Sequence, residues 1–93
     1  MERLINLFLE DAGQHGKLLR DAVEKGDAKR VESEAHRIKG GAGQVGAEAL
    51  RGLAAELEGL GRKSELDAAA QILAAFEDEY RRVSGFLRNE MST

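Results

Sequence analysis

The chain has 93 residues, no cysteine, no proline and a formal net charge of −3. That length suits one domain, residues 1–93, with a modest core, and the missing thiols exclude disulfides and thiolate metal sites. The acidic balance, without any long basic cluster, argues against binding to nucleic acid or an anionic membrane.

The first predicted helix carries an apolar stripe at Ile5, Phe8, Ala12, His15, Leu19 and Ala22, in steps of three and four. Gly26-Asp27 breaks it, and Asp27 is placed to cap the next helix. The second stripe is Ala28, Val31, Ala35, Ile38, Ala42 and Val45, closed by a tight turn at Gly46. The third is Leu50, Leu53, Leu57 and Leu60, ending near Gly59 and Gly61. Ser64 and Asp67 then resemble a capping box for a fourth stripe of Leu66, Ala69, Leu73, Phe76, Tyr80, Val83 and Leu87. Residues 89–93 read as a frayed tail.

Four stripes joined by short connections predict an all-α, antiparallel up-down-up-down four-helix bundle. No apolar run approaches the roughly 20 residues that span a bilayer, and the N-terminus lacks the layout of a secretory signal. A cytoplasmic protein, or a cytoplasmic piece of a larger one, is expected.

Residues 41–46, Gly-Ala-Gly-Gln-Val-Gly, match the dinucleotide-binding pattern G-x-G-x-x-G letter for letter. That motif needs a buried strand before it and a helix after it. Here it follows the polar, helix-periodic run Glu32–Lys39, and no Gly-Lys-Ser/Thr triplet follows to make a phosphate loop. The unbroken stripe through Ala35, Ile38, Ala42 and Val45 instead predicts that the helix continues through the glycines. Gly40, Gly41 and Gly43 together cost that helix about 3 kcal/mol relative to alanine. Close helix packing is one use for such glycines, but Gly40 points almost opposite the core stripe at about 100° per residue. A bare position on the solvent face is useful chiefly where something approaches closely.

His36 follows the core residue Ala35 and so sits on the exposed shoulder, with Lys39, Gly40 and Gly43 on its side. A neutral imidazole is a nucleophile at physiological pH, and a nearby ammonium stabilises a phosphoryl dianion. A carboxylate accepting from Nδ1–H would leave Nε2 free to attack. Glu58 is the candidate, because it follows Leu57 as His36 follows Ala35, and the two lie at similar distances either side of Gly46. Glu56 points elsewhere. His15 lies on the apolar stripe without lysine or glycine neighbours and is expected to be structural. The two histidines make no metal site.

The run His36-x-x-Lys39-Gly40, followed by Gly-Ala-Gly and Gly46-Ala47, resembles the histidine phosphotransfer (HPt) domain family. The resemblance extends over Leu7–Asp11, Gly26-Asp27 and Leu53–Glu58. It implies a phosphocarrier, not an enzyme, that accepts phosphate on His36 and exchanges it with an aspartate of a response-regulator receiver domain. A histidine kinase or hybrid kinase is the other implied partner. Lys39 would be the cation near the phosphoryl group, Gly40 the gap admitting the partner, and Glu58 the group contacting the histidine. The domain itself would need no cofactor, since Mg²⁺ is expected on the receiver. A partner docked over the first two helices would meet Arg37, Gly43 and Gln44, and the domain would act as a monomer. The carboxylate at Glu58 is also similar to the phosphotransfer domain of chemotaxis-type kinases, which usually carry a second histidine where this chain has Ala55. A docking or inhibitory module of the same fold without phosphotransfer, and a purely structural bundle, are the alternatives.

Overall fold

Stretches of good helix formers, broken at three short connections, set the architecture of the computed structural model, which describes the backbone of residues 2–92 and the side chains of residues 3–86. The helices are α1 (Glu2–Lys25), α2 (Ala28–Val45), α3 (Glu48–Arg62) and α4 (Leu66–Ser92). Each packs against the next, and α4 returns to α1, giving the expected four-helix bundle about 42 Å long and 19 Å across. The connections are the expected ones at the first two corners. Gly26 and Gly46 take left-handed conformations (φ 71° and 74°), and the Asp27 carboxylate accepts the Arg30 backbone N–H at 3.1 Å.

The third corner differs. Ser64, expected to open α4, instead closes α3 with φ 58°, its N–H donating to Gly61 O while Glu65 N–H reaches Leu60 O. This is the left-handed ending usually given to glycine. The serine is thereby committed to the end of α3, and Asp67 simply lies in the first turn of α4. At the other end, α4 runs through the segment expected as a frayed tail to Ser92, for no glycine or proline follows Gly85 to stop it. Thr93 lies outside the described residues, as does the side chain of Leu87.

The core is one cluster, including Phe8, Leu19, Val31, Ile38, Leu57 and Phe76. In α3 the buried line is Leu50, Ala54, Leu57, Glu58 and Gly61, with Leu53 and Leu60 only half-buried. The helix is rotated so that Ala54 and Gly61 join Leu50 and Leu57 in the buried line, while Leu53 and Leu60 pack at its edge. Gly61 lies at the end of the helix, as expected, next to its last residue Arg62. A Cβ built there would fall 2.7 Å from Glu32 N and 2.9 Å from Ala28 O, both backbone atoms of α2. The close approach of α2 and α3 at Gly61 fixes the seam that carries the candidate site.

Candidate functional site

The middle of α2 remains helical through all three of its glycines. Their environments differ. Gly41 packs against the Phe8 ring (3.2 Å to a built Cβ), so it is a packing glycine, and Gly43 lies under the side chain of Arg51 (3.4 Å). Nothing lies within 4 Å of a Cβ at Gly40, which faces open space. The absence of a side chain there is therefore unexplained by packing within the chain. One turn before Gly40 stands His36, with its side chain 66% exposed.

Glu58 lies across the seam on α3 with only 10% of its side chain exposed. Its Oε2 is 2.8 Å from His36 Nδ1, and its Oε1 accepts from Lys39 Nζ at 2.6 Å. An ionised carboxylate only accepts hydrogen bonds, so Nδ1 carries the proton and the Nε2 lone pair is left toward solvent. The spacing His36 to Lys39 brings both groups over one carboxylate because residues three apart share a helix face. Arg62, one turn after Glu58, adds a longer contact to Oε2 at 3.5 Å, while its Nε donates to Glu32 Oε2 at 3.1 Å. Every buried side-chain polar atom among the described residues has a partner. The site is a nucleophilic nitrogen aimed outward from a carboxylate that is itself held by cations.

The Lys39 hydrogen bond holds the Glu58 carboxyl below the ordinary glutamate range, with His36 adding to it and burial opposing both. A carboxylate with a depressed pKa contributes stability that is present above its unfolded value and lost as pH falls through its folded one. Wild type is therefore expected to be more stable than Glu58→Gln at pH 7, with the gap in melting temperature closing as pH falls below about 4.3. A gap that stays constant down to pH 3 would contradict this linkage.

The remaining expected residues take no part in this network. Arg37, Gly43 and Gln44 are exposed along the outer face of α2, and Glu56 is exposed away from His36. Lys39 was expected beside a phosphoryl group; in the resting structure it is bound to Glu58. His15 is part-buried, as expected, between Glu34 Oε1 at 2.5 Å from Nδ1 and Asp11 Oδ1 at 3.4 Å from Nε2. Its ring is mostly covered and both nitrogens face carboxylates, so an anionic phosphoryl donor is repelled from either. Sequence reasoning missed Glu34 and Asp11 as its partners and missed Arg62 altogether, although Glu58 and Arg62 stand at the i, i+4 spacing of a helical ion pair. Among the described residues, no group of three or more acidic or histidine side chains is arranged to hold a metal ion. None of their helices is long and apolar enough to cross a membrane.

Both the sequence and the fold resemble those of known proteins. The model of the Hpt domain family matches residues 3–86. The fold is similar to the crystal structure of histidine-containing phosphotransfer protein B (HptB) from Pseudomonas aeruginosa PAO1, with a TM-score of 0.92 and 31% sequence identity. The match covers 96% of this chain and 77% of that one. No curated protein matches the sequence significantly.

Proposed function

Because the chain belongs to the Hpt domain family, whose members carry phosphoryl groups on histidine in phosphorelay signalling, we propose that His36 is the phosphoacceptor and exchanges its phosphoryl group with an aspartate of a response-regulator receiver domain. The observation that carries this reading is the pairing of a 66% exposed imidazole with a buried carboxylate at its Nδ1. The Nε2 lone pair forms the N–P bond as the P–O bond of the receiver's aspartyl phosphate breaks, and the electron pair leaves on the aspartate carboxylate. Nδ1 keeps its proton, hydrogen-bonded to Glu58, so no general base is needed. The ring gains positive charge as the bond forms, and the Glu58 carboxylate offsets it. The reverse step regenerates the aspartyl phosphate. Positioning and the receiver's own Mg²⁺ supply the rest, so the domain is a phosphocarrier and not a catalyst. On this reading it works as a monomer in the cytoplasm, with a histidine kinase or hybrid kinase as its other partner. The chemotaxis-type alternative has no second imidazole here, for Ala55 stands in that place.

The exposed apolar residues of α1 support a partner lying over α1 and α2. Leu4, Leu7 and Leu18 are exposed, and at about 100° per residue they fall within roughly 60° of one another. Asp11 lies on the same stripe and reaches His15, which is tied to α2 by Glu34, so the stripe runs along the α2 side of α1. His36 lies on the opposite shoulder of α2, facing α3. A partner touching both must cross α2 over Arg37, Gly40 and Gln44, where the bare Gly40 lets it come close.

This gives the test. A Cβ at position 40 meets no atom within 4 Å, and Gly40→Leu is expected to stabilise the helix by about 0.8 kcal/mol. It should nevertheless slow transfer from a phosphorylated receiver by roughly 100-fold, since small misplacements at a reacting centre cost that much. Labelling of His36 by phosphoramidate, a donor too small to touch position 40, should persist. Undiminished receiver transfer in this variant would overturn the docking geometry.

A further inference from the structure

In the resting structure Lys39 is engaged by Glu58. Its ammonium is 2.6 Å from Glu58 Oε1, and a phosphoryl group on His36 Nε2 lies on the other side of the ring from Nδ1 and Glu58. A Lys39 that swings round the ring to donate directly to that phosphoryl group leaves Glu58. That departure would strip a carboxylate with 10% exposure of its closest cation at the moment when its hydrogen bond to His36 Nδ1 matters most. An isolated buried carboxylate is costly and tends to take up a proton or turn toward water.

Arg62 is the other cation within reach. Its Nη2 is 3.5 Å from Glu58 Oε2, the same oxygen that accepts from His36 Nδ1, and its Nε donates to Glu32 Oε2 at 3.1 Å. The guanidinium thus bridges α2 and α3 beside the site, with Nε anchored and Nη2 at the long limit of a hydrogen bond. It is fork-shaped and always charged, which suits holding two carboxylates at once. The Lys39 contact is to Oε1 and the Arg62 contact to Oε2, so losing the first leaves the second intact.

We propose that Arg62 is a positioning residue of the phosphotransfer site, holding Glu58 Oε2 on His36 Nδ1 while Lys39 releases Oε1 to meet the incoming phosphoryl group. The inference rests on the assignment of His36 as phosphoacceptor and adds a reserve counter-charge to it. Lys39 and Arg62 then divide two tasks, one following the phosphoryl group and the other keeping the carboxylate in place.

Phosphoramidate is the probe, because it needs no partner protein. The N–P bond to His36 Nε2 forms as the P–N bond of the donor breaks, and ammonia leaves. Wild type, Arg62→Gln and Arg62→Lys are compared by initial labelling rate, by the pH at which the loaded His36 ring loses its Nδ1 proton (¹⁵N shifts), and by the Lys39 Nζ signal before and after loading. In wild type the Lys39 signal should shift on loading. Arg62→Gln should label several-fold more slowly, lose the Nδ1 proton at lower pH, and show a smaller Lys39 shift. Arg62→Lys should recover most of each. A purely structural arginine would lower the melting temperature of Arg62→Gln while leaving the titration of the loaded ring and the Lys39 shift at wild-type values, and that outcome overturns the proposal. Failure of wild-type His36 to label at all would instead overturn the phosphoacceptor assignment, and this inference with it.

Discussion

His36→Gln is expected to abolish phosphoryl labelling of the folded protein while leaving the fold almost untouched. The imidazole is mostly exposed, so its loss removes little packing. Glu58 keeps Lys39 at 2.6 Å and Arg62 at 3.5 Å, so the carboxylate is not stranded. The cost is that of one hydrogen bond, about 1 kcal/mol, which in a domain of this size lowers the melting temperature by roughly 4–8 °C. Labelling, by contrast, should fall to background from any donor. His15 is the internal control, since its ring is mostly covered and both its nitrogens face carboxylates that repel an anionic phosphoryl donor. Acid-labile, base-stable phosphate that survives in His36→Gln would show that the acceptor is another group.

The largest effect on stability is expected at Gly61. Alanine ordinarily gains about 0.8–1 kcal/mol over glycine inside a helix, so Gly59→Ala, which meets nothing within 4 Å, should stabilise the protein. Gly61→Ala should do the reverse. Its methyl group would press on Glu32 N at 2.7 Å, Ala28 O at 2.9 Å and Glu32 Cα at 3.1 Å, all backbone and none able to rotate away. The helices must separate, and overpacking of this kind costs about 1–3 kcal/mol. Steric repulsion outweighs propensity, and the melting temperature should drop while that of Gly59→Ala rises. Because Glu58 is one turn from Gly61 on the same helix, widening the seam also draws the carboxylate from His36, and labelling should slow. Equal or higher melting of Gly61→Ala would contradict the close approach of α2 and α3.

The contrast between these glycines shows where sequence patterns suffice and where they stop. The helices, their order and two of the three corners follow from stripe periodicity, Gly26-Asp27 and Gly46. The His36–Glu58 pairing follows too, because both residues sit one step past a core position and lie similarly far from the Gly46 turn. What periodicity does not carry is side-chain size at a seam. In α3 it favours Leu53 and Leu60, which stay half-buried, whereas Gly61 is buried where α2 comes too close for anything larger. Serine caps helices well, which makes Ser64 look like the start of α4; only the backbone path shows it holding the left-handed position at the end of α3. The ion pairs were the least legible feature. Lys39 and Arg62 converge on Glu58, and Glu34 and Asp11 on His15, through long side chains whose rotamers no spacing rule specifies.

The central claim is that Glu58 holds the Nδ1 proton of His36 and thereby leaves Nε2 as the nucleophile. It is tested most directly by loading the ¹⁵N-labelled protein with phosphate and finding which ring nitrogen couples to ³¹P. The account predicts a single coupling, to Nε2 of His36, with Nδ1 still protonated. Phosphorus on Nδ1 of His36, or on His15, would contradict it.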